Sequence, residues 1–296
     1  MRPAAGGPRV VALGGGHGLA ATIRAVRRYA SCTTAVVATA DDGGSTGRLR
    51  GALDVPAPGD LRRCIEAMAG DRGGALAAAL DYRFGGTDVE GHALGNLLLV
   101  GLSQATGDFV GAVDELCRLV GLDPTSGWVV PATTAPVTLR AEAAAGRCVI
   151  GQVAIAHSVG IERLVVEPAG VPAPDRALDA LAAADQVVLG PGSLYTSVLA
   201  AAAVDDVREA LCRAPGRRVY VCNVRAEAGE TRGYDVAAHV EALRRHGIEP
   251  DVVLAQRGAL PPGAVDVEVV EADVARPHGL AHDPSRLAAA LSALVR

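Results

Sequence analysis

The chain has 296 residues, a net charge of −5 and a hydrophobic half, enough for one large α/β domain carrying an insertion. Its 28 basic residues are all Arg, and the absence of a basic surplus argues against a nucleic-acid protein. With aromatics at 3%, the core has to be built from Val, Leu, Ile and Ala.

Residues 1–8 carry no hydrophobic signal core and are expected to be a flexible terminus. No apolar run approaches the ~20 residues of a membrane span. The six cysteines form no CxxC pair, which reads as buried, reduced thiols in a cytoplasmic protein.

Arg9–Leu13 reads as a buried strand, Gly14–Gly18 as a glycine loop, Leu19–Tyr29 as a helix and Thr34–Thr39 as the next strand. This βαβ unit prescribes parallel strands. The loop Gly14, Gly15, Gly16, His17, Gly18 opens the helix. There a phosphate can approach bare backbone and meet free N–H donors. The spacing does not complete GxGxxG, and no Lys follows as in a Walker loop. The other reading is a tight strand-to-helix turn.

Asp41 to Arg50 follows the second strand and reads as a polar loop. Asp41 or Asp42 stands where Rossmann-like folds hold a sugar hydroxyl, and Ser45, Thr46 and Arg48 add phosphate donors. Asp60, after Pro58-Gly59, reads as a helix N-cap. Residues 59–84 and 92–120 look helical, with His92 either a core histidine or part of a site. Short β-like runs follow at Trp128–Val130, Val137–Leu139 and Cys148–Ile155. Residues about 60–160 are therefore expected to form a largely helical insertion in a single domain spanning 9–296.

The α/β rhythm returns with strands at Gln186–Leu189, Arg218–Cys222, Asp251–Leu254 and Val265–Val270, and helices at 192–203, 205–213, 234–246 and 284–295. Gly190-Pro191-Gly192-Ser193 repeats the logic of the first loop: Gly190 and Gly192 remove side chains, and Ser193 can cap the helix or donate to phosphate. Asn223 to Tyr234 follows another strand end and offers amide, charged and aromatic groups to a base or sugar. The dispersed histidines show no zinc-ligand spacing, so no metal is expected. The fold class that emerges is α/β, a Rossmann-like, mostly parallel sheet whose glycine loops grip one ligand at a switch-point crevice.

Taken in order, these loops resemble the YvcK-type gluconeogenesis-factor family, which is related to the 2-phospho-L-lactate transferase (CofD) family. The text that carries the resemblance is Ala12 to Leu19, Ala40 to Arg50, Pro58 to Arg62, Gly91 to Leu97, Leu189 to Ser197, Gly229 to Tyr234 and His282-Asp283. It implies a cytoplasmic protein that binds a UDP-sugar, UDP-N-acetylglucosamine above all. It also implies a part in cell shape and cell-wall precursor supply on gluconeogenic carbon sources. By motif it carries over a ligand role for Gly14–Gly18, Asp41, Asp42, Asn96, Gly192, Ser193, Asn223 and Tyr234. The chain departs from the family pattern at His17, often Thr, and at Ala281, Arg in some relatives. No cofactor beyond the UDP-sugar ligand is implied; a protein partner in cell-wall regulation and a homo-oligomer are the expected associations. The chain reads as a binding or regulatory protein. The alternatives are a CofD-like 2-phospholactate transferase and an NAD-binding enzyme.

Overall fold

A computed structural model describes residues 6–86 and 88–295. They begin with β1 (Arg9–Gly14), α1 (Gly16–Val26) and β2 (Cys32–Val37). The helices α2 (Gly44–Ala52), α3 (Gly59–Ala69), α4 (Gly74–Leu80), α5 (Leu94–Thr106) and α6 (Phe109–Leu119) precede β3 (Gly127–Pro131). Next come β4 (Thr138–Ala143), β5 (Arg147–Ile150), α7 (Gln152–Ala156), β6 (Ile161–Glu167), α8 (Asp175–Ala182) and β7 (Gln186–Leu189). A π-helix, Leu194–Leu199, runs into α9 (Ala200–Ala202), followed by α10 (Asp205–Arg213) and β8 (Arg217–Val221). The chain then forms α11 (Val236–Arg245), β9 (Val252–Gln256), β10 (Glu268–Ala272) and α12 (Pro284–Ser292).

Seven strands form one sheet in the order β10-β9-β8-β7-β1-β2-β3, and every neighbouring pair is parallel. Central strands buried on both faces need unbroken apolar runs, which is how β7 and β9 read. The chain leaves β1 towards β2 and β3, then returns to the other side of β1 through β7. The switch point therefore lies between β1 and β7. A second, antiparallel sheet has the order β5-β4-β6. The expected parallel α/β fold is present. Within the stretch 60–160, β3 pairs with β2 in the main sheet. No helix among the described residues is long and apolar enough to cross a membrane.

Several local expectations are corrected. From Gly44 onward the polar run after β2 is helical, because Ser45, Thr46 and Leu49 turn inward. The expected strand Cys148–Ile155 stops at Ile150. Gly151, at φ 96°, reverses the chain, and the Asp42 carboxylate accepts the Gln152 and Val153 N–H groups at 2.9 Å each, starting α7. Strand β6 was not foreseen. Cys64, Cys117 and Cys222 are buried, but Cys148 and Cys212 are exposed. Of the expected flexible segment 1–8, residues 1–5 lie outside the described residues. The Pro8 carbonyl accepts the Ser31 N–H at 2.9 Å.

The aliphatic core leaves polar anchors where helices meet. Arg62 is 1% exposed and pairs with Glu66 and Asp81 at 2.5 Å each. A Cβ at Gly95 would lie 2.7 Å from its Cγ, so this glycine lets α5 pass the arginine stem. At the switch point the Thr22 hydroxyl donates to the Gly190 carbonyl at 2.7 Å, tying α1 to the turn after β7. Thr22→Val keeps the shape and orphans that buried carbonyl. We expect a loss of about 1–3 kcal/mol, read as a lower urea midpoint with an unchanged slope; an unchanged midpoint would reject the tie.

Candidate functional site

A cleft of about 1050 Å³ opens over the switch point at the C-terminal ends of the parallel strands. Its first wall is the start of α1. Gly15, the N-cap, is extended (φ −161°, ψ 177°) and brings no side chain to the helix amides. The Asp60 carboxylate accepts the Gly16 N–H, and a Cβ on Gly15 would fall 2.6 Å from Asp60 Oδ2. Gly18 backs onto the Pro191 carbonyl so closely that any Cβ would collide with it. The two glycine turns are thus packed against each other.

The second wall is the turn Gly190–Ser193 and the π-helix behind it. The Gly192 N–H donates to Asn223 Oδ1 at 3.4 Å, and the Ser193 hydroxyl donates to Glu227 at 3.0 Å. Glu230, fully buried, accepts the N–H groups of Tyr195 and Thr196 at 3.1 and 3.2 Å. Burial pushes its carboxyl up to about 8, and nearby Glu227 pushes in the same direction against the hydrogen bonds. Two carboxylates therefore clamp residues 223–230 onto the second turn.

Four guanidiniums and three carboxylates face the cleft: Arg24, Arg63, Arg225 and Arg276 against Asp41, Asp60 and Glu227. Arg63 is held by Asp60 at 2.6 Å. Arg24, Arg225 and Arg276 make no side-chain hydrogen bond or ion pair among the described residues, which leaves them for a ligand's negative charge. Burial, assisted by Arg63, lowers the His17 pKa. His282 is 7% exposed and its Nε2 has no partner among the described residues. Burial holds its pKa down at about 4, despite a ring N–H donated to the Cys222 carbonyl, so the ring is neutral. Asp60 is raised by burial in spite of Arg63. No group of three or more His, Cys, Asp or Glu that could hold a metal ion occurs among the described residues.

Of the residues picked out in the sequence, Gly15, Gly16, His17, Gly18, Asp41, Gly192, Ser193 and Asn223 line this cleft together. Gly14 and Gly190 stand behind them, where the Gly190 N–H donates to the Leu13 carbonyl at 2.9 Å. Asp42 turns away to α7. Ser45 and Arg48 meet His92 outside the cleft, and Asn96 meets Ser45 there. Arg48 Nε donates to His92 Nε2 at 3.3 Å, His92 Nδ1 lies 2.9 Å from the Ser45 hydroxyl, and Asn96 Nδ2 donates to that hydroxyl at 3.3 Å. Tyr234 is also off the cleft, its hydroxyl 3.0 Å from that of Tyr195 and its ring edge-on to His239. The sequence does not single out Arg24, Arg63 and Arg276, it offers Arg225 and Glu227 only as charged groups of the loop from Asn223 to Tyr234, and it reads Asp60 as a cap. Asp60 makes no such cap; α3 starts at Gly59, and its side chain reaches α1 instead.

The model of the family described as 2-phospho-L-lactate transferase CofD matches residues 10–290. The chain is 44% identical to a Mycobacterium tuberculosis protein provisionally named a gluconeogenesis factor, over 95% of this chain and 89% of that one. It is 39% identical to the Bacillus subtilis gluconeogenesis factor, over 81% and 75% respectively. A solved Bacillus halodurans protein of the UPF0052 family superposes with a TM-score of 0.88 at 32% identity, covering 98% of this chain and 99% of that one.

The buried Glu230 generates a pH prediction. Its folded pKa lies above the ordinary 4.5, so its contribution to stability is complete at low pH and lost as the pH rises to about 8. The histidines with lowered pKa values act in the opposite sense, gaining stability as the unfolded chain loses its imidazolium protons around pH 6.5. The histidines are common to both proteins, so the wild type should lose stability relative to Glu230→Gln from about pH 6.5 to about pH 8. Urea midpoints at the two pH values check this; equal changes would reject it.

Proposed function

The chain belongs to the gluconeogenesis-factor family within the wider CofD family, and from that premise we propose that its cleft binds a UDP-sugar, UDP-N-acetylglucosamine above all, and senses it. One observation carries the reading: two glycine turns, packed face to face at the switch point, present helix-start backbone to one crevice beside uncommitted arginines. A diphosphate is the group that fits between two such turns. Asp41, four residues past the end of β2, lines the cleft and would take a sugar or ribose hydroxyl. The cleft volume suits a nucleotide-sugar and exceeds the need of a lone phosphate.

Sensing requires only that two arrangements of the loops differ in affinity for the ligand. The segment 223–230 is suited to this, since it lines the cleft and is fastened to the second turn by Glu227 and Glu230. In this proposal the protein works in the cytoplasm and reports nucleotide-sugar supply to a protein partner. The output is cell-wall precursor supply and cell shape on gluconeogenic carbon.

A second reading, a phosphoryl-type transferase of the CofD kind, is favoured by Asp60. A carboxyl of raised pKa inside the cleft, near Asp41, is a candidate proton acceptor for an attacking hydroxyl. Incubation with UDP-N-acetylglucosamine and Mg²⁺ or Mn²⁺, with chromatography of UDP, UMP and free sugar, separates the two. Intact ligand supports sensing. Steady product that disappears in Asp60→Asn supports transfer.

Binding itself is tested by thermal shift. At ligand about 100 times its dissociation constant the stabilisation should be about 2.7 kcal/mol, several degrees of Tm at roughly 2–4 °C per kcal/mol. Arg24→Gln removes one charge-assisted contact worth about 1.5–3 kcal/mol, so affinity should fall at least tenfold. A shift with NAD and none with UDP-sugars would overturn the proposal.

A further inference from the structure

On the far side of the π-helix a pocket of about 370 Å³ lies between β6, α10 and the end of α11. Three arginines from three elements line it: Arg163 of β6, Arg208 of α10 and Arg245 of α11. One carboxylate, Asp205, lines it too, and pairs with Arg208 at 2.7 Å. Arg163 and Arg245 have no ion pair among the described residues. Arg245 donates to the Tyr195 hydroxyl at 3.4 Å. Its neighbour Arg244 is spent on Glu249 and Asp266, so the two residues of this turn are employed differently.

His246 forms the floor and is built in. Its Nδ1–H donates to the Ala242 carbonyl at 2.7 Å, and its Nε2 accepts the Leu164 N–H at 2.9 Å. The tautomer is fixed and neither nitrogen is left for a ligand. Burial lowers its pKa, and Arg245, Arg163 and Arg208 each lower it further, so all three cations act on one spot. In a chain of net charge −5, three arginines against one aspartate leave a local surplus of positive charge here. Leu199 and Ala203 supply an apolar wall beside the charges.

We propose that this pocket is a second anion site, taking the phosphate group of a small phosphorylated metabolite or free phosphate. Two guanidiniums without an ion pair match a phosphate dianion in charge and in planar donor geometry. The volume leaves room for a short carbon skeleton against the wall. The site is separate from the cleft yet shares the π-helix with it: Leu199 and the Arg245 partner Tyr195 both belong to the helix that follows Ser193. An anion that draws Arg245 from Tyr195 therefore acts on the element behind the second glycine turn.

The test is calorimetric titration in phosphate-free buffer with inorganic phosphate, glycerol 3-phosphate and glucose 6-phosphate. The proteins are the wild type, the cleft variant Gly15→Ala and the double variant Arg163→Gln/Arg245→Gln. At least one probe should bind the wild type and Gly15→Ala alike, and the double variant at least tenfold more weakly. A tighter ester than inorganic phosphate assigns the site to a metabolite, and the reverse assigns it to free phosphate. The double variant should keep the fold, read as an unchanged far-UV circular dichroism spectrum, since both side chains are exposed. No binding by the wild type, unchanged binding by the double variant, or loss in Gly15→Ala overturns the proposal.

Discussion

The constraint on which the site depends is the contact between the Gly18 backbone and the Pro191 carbonyl, where no Cβ fits. It joins the start of α1 to the turn after β7, so the two strands flanking the switch point bring their loops to one place. The Thr22 hydroxyl bond to Gly190 fastens the same junction from within. Much else follows from this contact. The sheet order sets β1 beside β7, the bare turns face one crevice, and the segments after β8 and β10 close its far side. A parallel sheet leaves such a crevice wherever its winding reverses. Here glycine makes it narrow enough for backbone to touch a ligand.

Electrostatics within the cleft are divided between groups already committed and groups still free. Asp60 is engaged by Gly16 and Arg63, and Glu230 by the first amides of the π-helix. These carboxylates organise the walls, at the cost of raised pKa values. Arg24, Arg225 and Arg276 organise nothing among the described residues, which suits groups that wait for a ligand. The neutral, deeply buried His282 adds an imidazole nitrogen without a charge.

The sequence is legible where local chemistry decides. Apolar runs bounded by glycine place the parallel strands, and both glycine turns are recognisable because a strand end, bare backbone and a helix start are all local features. It is less legible where a partner lies far along the chain. Asp42 sits in a loop dense with ligand-binding groups, yet its carboxylate starts a helix 110 residues later. Ser45, Arg48, His92 and Asn96 likewise bond to one another across the α2–α5 boundary. Residues 152–155 continue the β-like run that begins at Cys148, but a glycine and that distant carboxylate turn them into a helix. Arg24, Arg63 and Arg276 could not be singled out among 28 arginines, because what marks them is the wall they face. Tyr234 carries a motif position, but its place depends on Tyr195 and His239, which sequence spacing does not reveal.

The central claim is that one diphosphate lies between the two glycine turns, and a crystal structure with UDP-N-acetylglucosamine tests it most directly. The account predicts diphosphate density within hydrogen-bond distance of the His17–Gly18 and Gly192–Ser193 backbones, with Arg24 or Arg276 turned onto it. A nucleotide-sugar bound elsewhere, or touching only one of the two turns, would contradict the account.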